Sequence, residues 1–322
     1  MFGMAEWFTR EEAETDPEFG TLPENRSEEE LLDEGIVIVD KPFGPTSNQV
    51  STWIKEELDV KKTGHFGTLD PNATGVLPVA LNSATRLNEA LAEADKEYVF
   101  EAELQDEKPE ERIREVLNKF EGTNKQVPPE KSAVKREERE REVYSISFIE
   151  KQGEKMLGKV RCESGFYVRV LIDQLGEKLN TEAEMTELRR TMQGEITEDE
   201  TSKIQDVVDQ YHFHLEDEDS SLDEIIQPKE KAVEHLKKVA VKDSAVNAVA
   251  NGADLGASGI SKLQGDISEG ETIAVMTLKG ELIALAEAHM NSQSLYEEEG
   301  TAATLKSVHM DPKTYPKRWK QS

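Results

Sequence analysis

The chain has 322 residues, 36% hydrophobic and 33% charged, which allows two domains with a sizeable core and excludes a wholly disordered polypeptide. It carries 39 Lys and Arg against 67 Asp and Glu, a net charge of −28 that on Coulombic grounds disfavours a polyanionic partner. A membrane span of roughly 20 apolar residues is missing, the single Cys162 excludes an internal disulfide, and the opening MFGMAEWFTREEAETD has neither basic nor apolar secretion region, so the expected address is cytoplasmic.

The acid is spread evenly, from SEEELLDE (27–34) to HLEDEDSSLDE (214–224) and YEEEG (296–300). Such a surface suits very high salt, where screening shortens the reach of charge to a few ångströms. The charge then says where the protein works and leaves its partner open. An ordinary acidic protein is the alternative.

Residues 1–34 are acidic and poor in β-branched residues, the pattern of a tail or loosely docked extension. GIVIVDKP (35–42) predicts a strand entering a turn. TSNQVSTWIKEELD (46–59) predicts a helix with Val50, Trp53, Ile54 and Leu58 at helical spacing and Thr46 or Ser47 as N-cap. After a glycine-rich loop come an apolar strand, GVLPVAL (75–81), a helix over 83–96, a strand at EYVFEAEL (97–104) and an amphipathic helix over 109–122. Segment 125–142 is locally basic, with Lys125, Lys131, Lys135, Arg136, Arg139 and Arg141. A hairpin is expected around Gly153, from strands 143–152 and 155–164, then a buried helix over 166–179. Helices mixed with hairpin-linked strands are an α+β pattern. From 237 onward glycines and small residues rise, which predicts a small β-rich module of under a hundred residues. The end, DPKTYPKRWKQS, is basic and aromatic, with Lys313, Tyr315, Lys317, Arg318, Trp319 and Lys320.

Six histidines (65, 212, 214, 235, 289, 309) lie at no recognisable ligand spacing, so no metal is expected. There is no phosphate-binding or dinucleotide-binding glycine motif and no nucleophile elbow. What stands out is KKTGHFGTLDPNATGVLPVA (61–80), which holds one acid, Asp70. Gly67 and Pro71 would pin a sharp turn and push that side chain into a cleft. By residue type alone, a turn aspartate capping its own backbone is the commoner case.

The surroundings change that weighting. KPFGPTS (41–47), GHFGTLDPNATGVLPV (64–79), KEYV (96–99), GFYVRVLI (165–172) and ELRRT (187–191) occur in this order. Together they closely resemble the TruB-type pseudouridine synthases, and the whole chain is similar to the archaeal dyskerin-type branch. KAVEHLKKVAVKDSAVNAVANGADL (231–255) resembles the entry to a PUA domain, an RNA-binding β module. The resemblance runs from about residue 35 to the end.

It implies an α+β fold: a mixed-sheet pseudouridine synthase catalytic domain over 35–235 and a PUA domain over 236–311, flanked by the extension 1–34 and a basic tail 312–322. It implies an RNA-uridine isomerase without cofactor or metal. Asp70 corresponds to the catalytic nucleophile, Arg169 to the arginine that pairs with it, and Tyr98 to the tyrosine that packs on the target uracil and assists proton removal at C5. A buried carboxylate would need such a guanidinium to stay charged. His65 corresponds to a residue near the flipped nucleotide, Lys41 and Tyr167 to pocket-lining residues, and Leu188 to one packing beneath the base. Phe166 stands where the family often has a small hydroxyl residue, and Met192 where a basic residue is usual. The implied partners are RNA (tRNA, rRNA or an H/ACA guide RNA) and the small H/ACA proteins of Nop-ten, Gar and L7Ae type, with no DNA and no membrane. Two modes follow: T-loop uridines of tRNA modified without a guide, or guided sites modified within a ribonucleoprotein. A non-catalytic RNA-binding scaffold of the same fold is the alternative.

Overall fold

The structure is a computed structural model and describes residues 6–129, 135–216 and 220–317. It divides into two compact units, one formed by 37–226 and one by the chain up to Ile36 together with Gln227 onward.

The first unit is built on a mixed sheet. Its strands run in the spatial order Ile36–Lys41, Ala73–Leu81, Ala183–Gln193, Lys96–Leu104, Lys155–Cys162, Arg139–Gln152 and Gly122–Gln126. Ala73–Leu81 and Ala183–Gln193 are parallel, with Ala73 opposite Leu188 and Gly75 opposite Arg190. Lys96–Leu104 is antiparallel to Ala183–Gln193, with Tyr98 opposite Arg190 and Phe100 opposite Leu188. The middle of the sheet therefore brings Leu188 and Arg190 between the chain that follows Asp70 and the strand of Tyr98.

The expected hairpin is present, its strands Arg139–Gln152 and Lys155–Cys162 joined through Gly153 at φ +62°. Helix Val168–Leu179 buries Val168, Leu171, Ile172, Leu175 and Leu179, one stripe of a 3.6-residue period. It packs with helix Glu110–Leu117 over Phe100, Ala102, Val143 and Val160 and ends at Asn180 in the left-handed region, φ +53°. Helix Ser47–Glu57 begins with Thr46 in a capping box with Gln49 and buries Val50 and Ile54, whereas Trp53 is exposed.

The helix expected over 83–96 is shorter. A 3-10 turn at Asn82–Leu87 leads into helix Asn88–Ala92, and Lys96 already belongs to a strand, opposite Cys162 and Gln193. Backbone pairing on both sides of Lys96 overrides the helix propensity of ALAEADK.

The second unit corrects the reading of both chain ends. Its sheet runs Trp7–Thr9, Ile260–Gln264, Lys237–Val241, Thr272–Met276, Leu282–Ala288, Thr301–Val308, Leu255–Gly256. Within the expected extension 1–34, the described residues 6–34 are not loose: Trp7–Thr9 is an edge strand antiparallel to Ile260–Gln264, and Ser27 caps helix Glu28–Glu34. Arg26 donates to both oxygens of Glu230, at 2.6 and 2.8 Å. Residues 227–235 also belong here, nine residues before the expected boundary, with Glu230, Ala232 and Val233 buried. Nor is 312–317 a free tail. Tyr315 is buried, its hydroxyl donates to Glu281 at 2.8 Å, and Asn247 Nδ2 donates to the carbonyls of Pro312 and Tyr315. Lys131, Arg318, Trp319 and Lys320 lie outside the described residues.

Candidate active site

Asp70 sits on a loop held from four directions. Ser47, at the start of its helix, accepts the Leu69 N–H at 2.8 Å and donates to the Leu69 carbonyl at 3.0 Å. The Gly44 N–H donates to the Pro71 carbonyl at 2.9 Å. Beneath, the Lys41 ammonium donates to the carbonyls of Pro42, Pro71 and Ala73, at 3.0, 3.2 and 2.7 Å. From the sheet, Arg190 donates to the carbonyls of Gly67 and Val76, at 3.0 and 2.7 Å. Gly67 turns the chain at φ +82°, a region that disfavours residues with a Cβ. Phe66 and Leu69 point into the core, and Asp70 is left outside.

Arg169 comes from the first turn of helix Val168–Leu179 and donates from a terminal guanidinium nitrogen to Asp70 Oδ2 at 2.8 Å. The lead into that helix is fixed by Gln126, whose amide accepts the Tyr167 N–H at 2.8 Å and donates to the Tyr167 carbonyl at 3.1 Å. The Asp70 side chain is 58% exposed and that of Arg169 45%. The expected buried carboxylate is therefore not present. Arg169 orients an open carboxylate by a charge-assisted hydrogen bond.

A cavity of about 440 Å³ opens beside this pair and is lined by Asp70, Tyr98, Tyr167, Arg169 and Leu188, five of the seven expected residues. Burial pushes the Tyr98 phenol pKa up, with the Arg190 charge opposing, so Tyr98 is a neutral phenol near pH 7.

The other two expected residues stand elsewhere. Lys41 is fully buried under the loop and tunes its shape without lining the cavity. Burial lowers its pKa while Asp70 raises it. His65 lies on the Thr63–His65 strand, also outside the cavity lining, with Nε2 3.0 Å from Asn48 Oδ1. Its pKa is lowered by burial and by Arg190, so it is neutral near pH 7.

The basic segment is less available than its composition implied. Lys125 pairs with Glu138 at 3.4 Å, Arg141 with Glu163 at 3.4 Å, and Lys135 with Glu137. Phe166 and Met192, where the family pattern differs, are both buried. Phe166 nonetheless lines the cavity beside Asp70, whereas Met192 does not.

Known proteins resemble this chain in sequence and fold. Residues 55–168 match the N-terminal domain of the TruB family pseudouridylate synthases, and 169–234 the tRNA pseudouridylate synthase B C-terminal domain. Residues 237–308 match the PUA domain and 2–51 the DKCLD domain. The chain is 45% identical over 319 residues, 98% of both chains, to a probable tRNA pseudouridine synthase B of Methanothermobacter thermautotrophicus. The chain belongs to the TruB family of pseudouridine synthases. It is 48% identical to the corresponding probable synthase of Pyrococcus furiosus, over 97% of this chain and 92% of that one. Among solved structures it matches a chain of a Cbf5–Nop10–Gar1 complex with a TM-score of 0.94 and 46% identity, covering 98% and 97% of the two chains. It also matches a chain of an H/ACA ribonucleoprotein bound to a substrate RNA containing 2′-deoxyuridine, with a TM-score of 0.92 and 44% identity over 98% of each.

Several residues that shape the synthase's site escaped the sequence reading. Arg190 is buried, stands opposite Tyr98 across the paired strands, is hydrogen-bonded to the loop carbonyls, and lines the cavity. The paired arginines of ELRRT, at the start of the buried half of strand Ala183–Gln193, were visible in the sequence and could have marked it. Lys96 lines the cavity too, donating to Ser164 Oγ at 3.0 Å and to the carbonyls of Ala92 and Ala94. Burial, and then the Arg190 charge, lowers its pKa to about 8. The contacts of Gln126 with Tyr167 and of Ser47 with Leu69 left no sequence signal, since each is made to a backbone group that is remote along the chain.

Proposed function

We propose that this synthase detaches uracil from its ribose within RNA, turns it, and rejoins it through C5, with Asp70 as the nucleophile. A carboxylate is nucleophilic without activation and leaves readily again, which suits a detach-and-rejoin reaction. Arg169 holds its orientation. Leu188 and Tyr98 receive the extruded base, which must leave its stack to be reached. As a neutral phenol near pH 7, Tyr98 serves packing better than proton removal. The observation that carries the reading is the open Asp70–Arg169 pair, 2.8 Å apart, lining one cavity with Tyr98 and Leu188.

The wider setting follows the relatives. The substrates are a T-loop uridine in tRNA, a guided uridine in rRNA, or both. In the guided mode the chain is the catalytic subunit beside proteins of Nop10, Gar1 and L7Ae type, in the cytoplasm. The 44–46% identity to chains of the solved complexes supports that setting. The −28 charge supports a role in concentrated salt, where counterion release contributes little to RNA affinity and shape, stacking and base pairing carry more.

Pseudouridine mapping on a T-loop transcript in concentrated KCl tests this, with and without guide RNA and the small partner proteins. Wild type should convert the target uridine, while Asp70→Asn should bind RNA normally and form no product. Equal product from Asp70→Asn would remove Asp70 from the chemistry. No product from wild type in either arm would leave a non-catalytic scaffold.

A further inference from the structure

In the chain as a whole, 67 of 322 residues are Asp or Glu, about one in five. The two stretches that contain the Gly44 turn and the Asp70 loop, 41–54 and 60–88, hold 43 residues and a single acid, Asp70, although most of strand Ala73–Leu81 within them is buried. Asp70 is thus the one acid that these two stretches bring to the cavity, which Glu163 also lines, and repulsion of a polyanion is lowered at the turn itself.

On the 41–45 turn, which the Gly44 N–H ties to the Pro71 carbonyl, stands Phe43, 68% exposed and the most exposed large apolar residue among the described residues. Scattered exposed apolar residues are ordinary in proteins, but this one is held rigidly. Pro42 and Pro45 restrict the backbone on either side, and Gly44 turns it at φ +112°. The Gly44 N–H donates to the Pro71 carbonyl, and Lys41 donates to the carbonyls of both Pro42 and Pro71. Phe43 is thus one residue and one hydrogen bond from the residue that follows Asp70. A preorganised aromatic ring loses little freedom on binding. Its face suits an unpaired nucleobase, because every base has a π surface and stacking needs no counterion release.

We propose that Phe43 is a stacking platform for the unpaired nucleobase next to the target uridine, which makes the 41–45 turn a base-binding subsite beside the catalytic mouth. The inference rests on the RNA-modifying reading above and adds to it a second base position.

The test uses the full chain and T-loop stem–loop RNAs with 2-aminopurine on the 5′ or the 3′ side of the target uridine. Binding should quench one of the two probes. Phe43→Ala should abolish that quenching and raise both Kd and KM about tenfold, with kcat at saturating RNA unchanged. The slope of log Kd against log salt should stay the same, since no phosphate contact is lost. Phe43→Trp should restore binding and quenching, and Phe43→Leu should not. The inference is overturned if Phe43→Ala binds and quenches like wild type, if Leu serves as well as Trp, or if the loss is confined to kcat. A defect seen only as weaker capture of the small partner proteins, with RNA affinity intact, would assign Phe43 to a protein contact instead. Running the quenching in an Asp70→Asn background separates the two claims: quenching without turnover in wild type would sink the reaction and keep the subsite. Failure of the wild-type chain to bind either RNA would remove the subsite.

Discussion

Two arginine–carboxylate pairs show how one chemistry serves two ends. Arg169–Asp70, in the unit of 37–226, is 2.8 Å long and about half exposed on each side. Arg26–Glu230, in the unit holding both chain ends, is bidentate at 2.6 and 2.8 Å, with side chains 6% and 11% exposed. Burial alone would raise the Glu230 pKa, but the Arg26 hydrogen bond and charge and the Lys229 charge bring it below the usual carboxylate value. Glu230 also accepts the Leu282 N–H at 2.9 Å, and Glu34 adds a second acid beside Arg26, so the buried pair is fully satisfied. The exposed pair has water around it and contributes little to stability. Its carboxylate is free to meet a substrate. The difference lies in surroundings, since the residue types and distances are nearly the same.

Breaking the buried pair should have the largest effect. Glu230→Ala leaves the Leu282 N–H without its acceptor and the buried Arg26 guanidinium with Glu34 alone, and should lower unfolding stability by about 3–5 kcal/mol, read from denaturant midpoints. Because the folded pKa of Glu230 is depressed, its stabilisation is present at neutral pH and fades as pH falls through that value. A change below 1 kcal/mol would erase the contrast between the two pairs.

Arg169→Lys tests the other half. A lysine keeps the charge but loses the planar fork that orients the carboxylate, so kcat should fall about 10²-fold with KM nearly unchanged. The denaturation midpoint should not move. A large stability loss with unchanged kcat would recast the pair as structural.

Lys96 sharpens the contrast from a third side, being a cavity cation satisfied by carbonyls and a hydroxyl with no carboxylate in the set. Its folded pKa of about 8 lies below the ordinary 10.5. Between those values the unfolded chain holds the extra proton, so this group makes stability rise with pH by at most about 1.4 kcal/mol per unit. Below about pH 8 the penalty of the buried charge is constant. Lys96→Met should remove that rise, visible as a flatter stability profile between pH 8 and 10.5. An unchanged slope would mean that Lys96 is more solvated than its position implies.

Much of this was legible along the chain because it is local. The stripe of Val168, Leu171, Ile172 and Leu175 spells out a helix, and the alternation in 97–104 spells out a strand. The acid-free loop around Asp70 announces an unusual carboxylate, and family motifs supplied its partner Arg169. Lys41 was assigned to the pocket lining and His65 to the neighbourhood of the flipped nucleotide because a motif reports neighbourhood, not direction. Lys41 points beneath the loop and His65 toward Asn48.

By itself, then, the sequence determined the α+β class, the β-rich C-terminal module, the loop chemistry and the pair at its centre, all of which depend on periodicity, turn residues or short motifs. Tertiary structure alone decided that Trp7–Thr9 completes the sheet that holds the C-terminal module, since strand pairing runs through backbone groups common to every residue. It decided that Asp70 stands exposed, and that Arg190 and Gln126 hold the two loops on which the pair depends. Those outcomes are set by contacts between residues far apart in sequence, whose register no local pattern records.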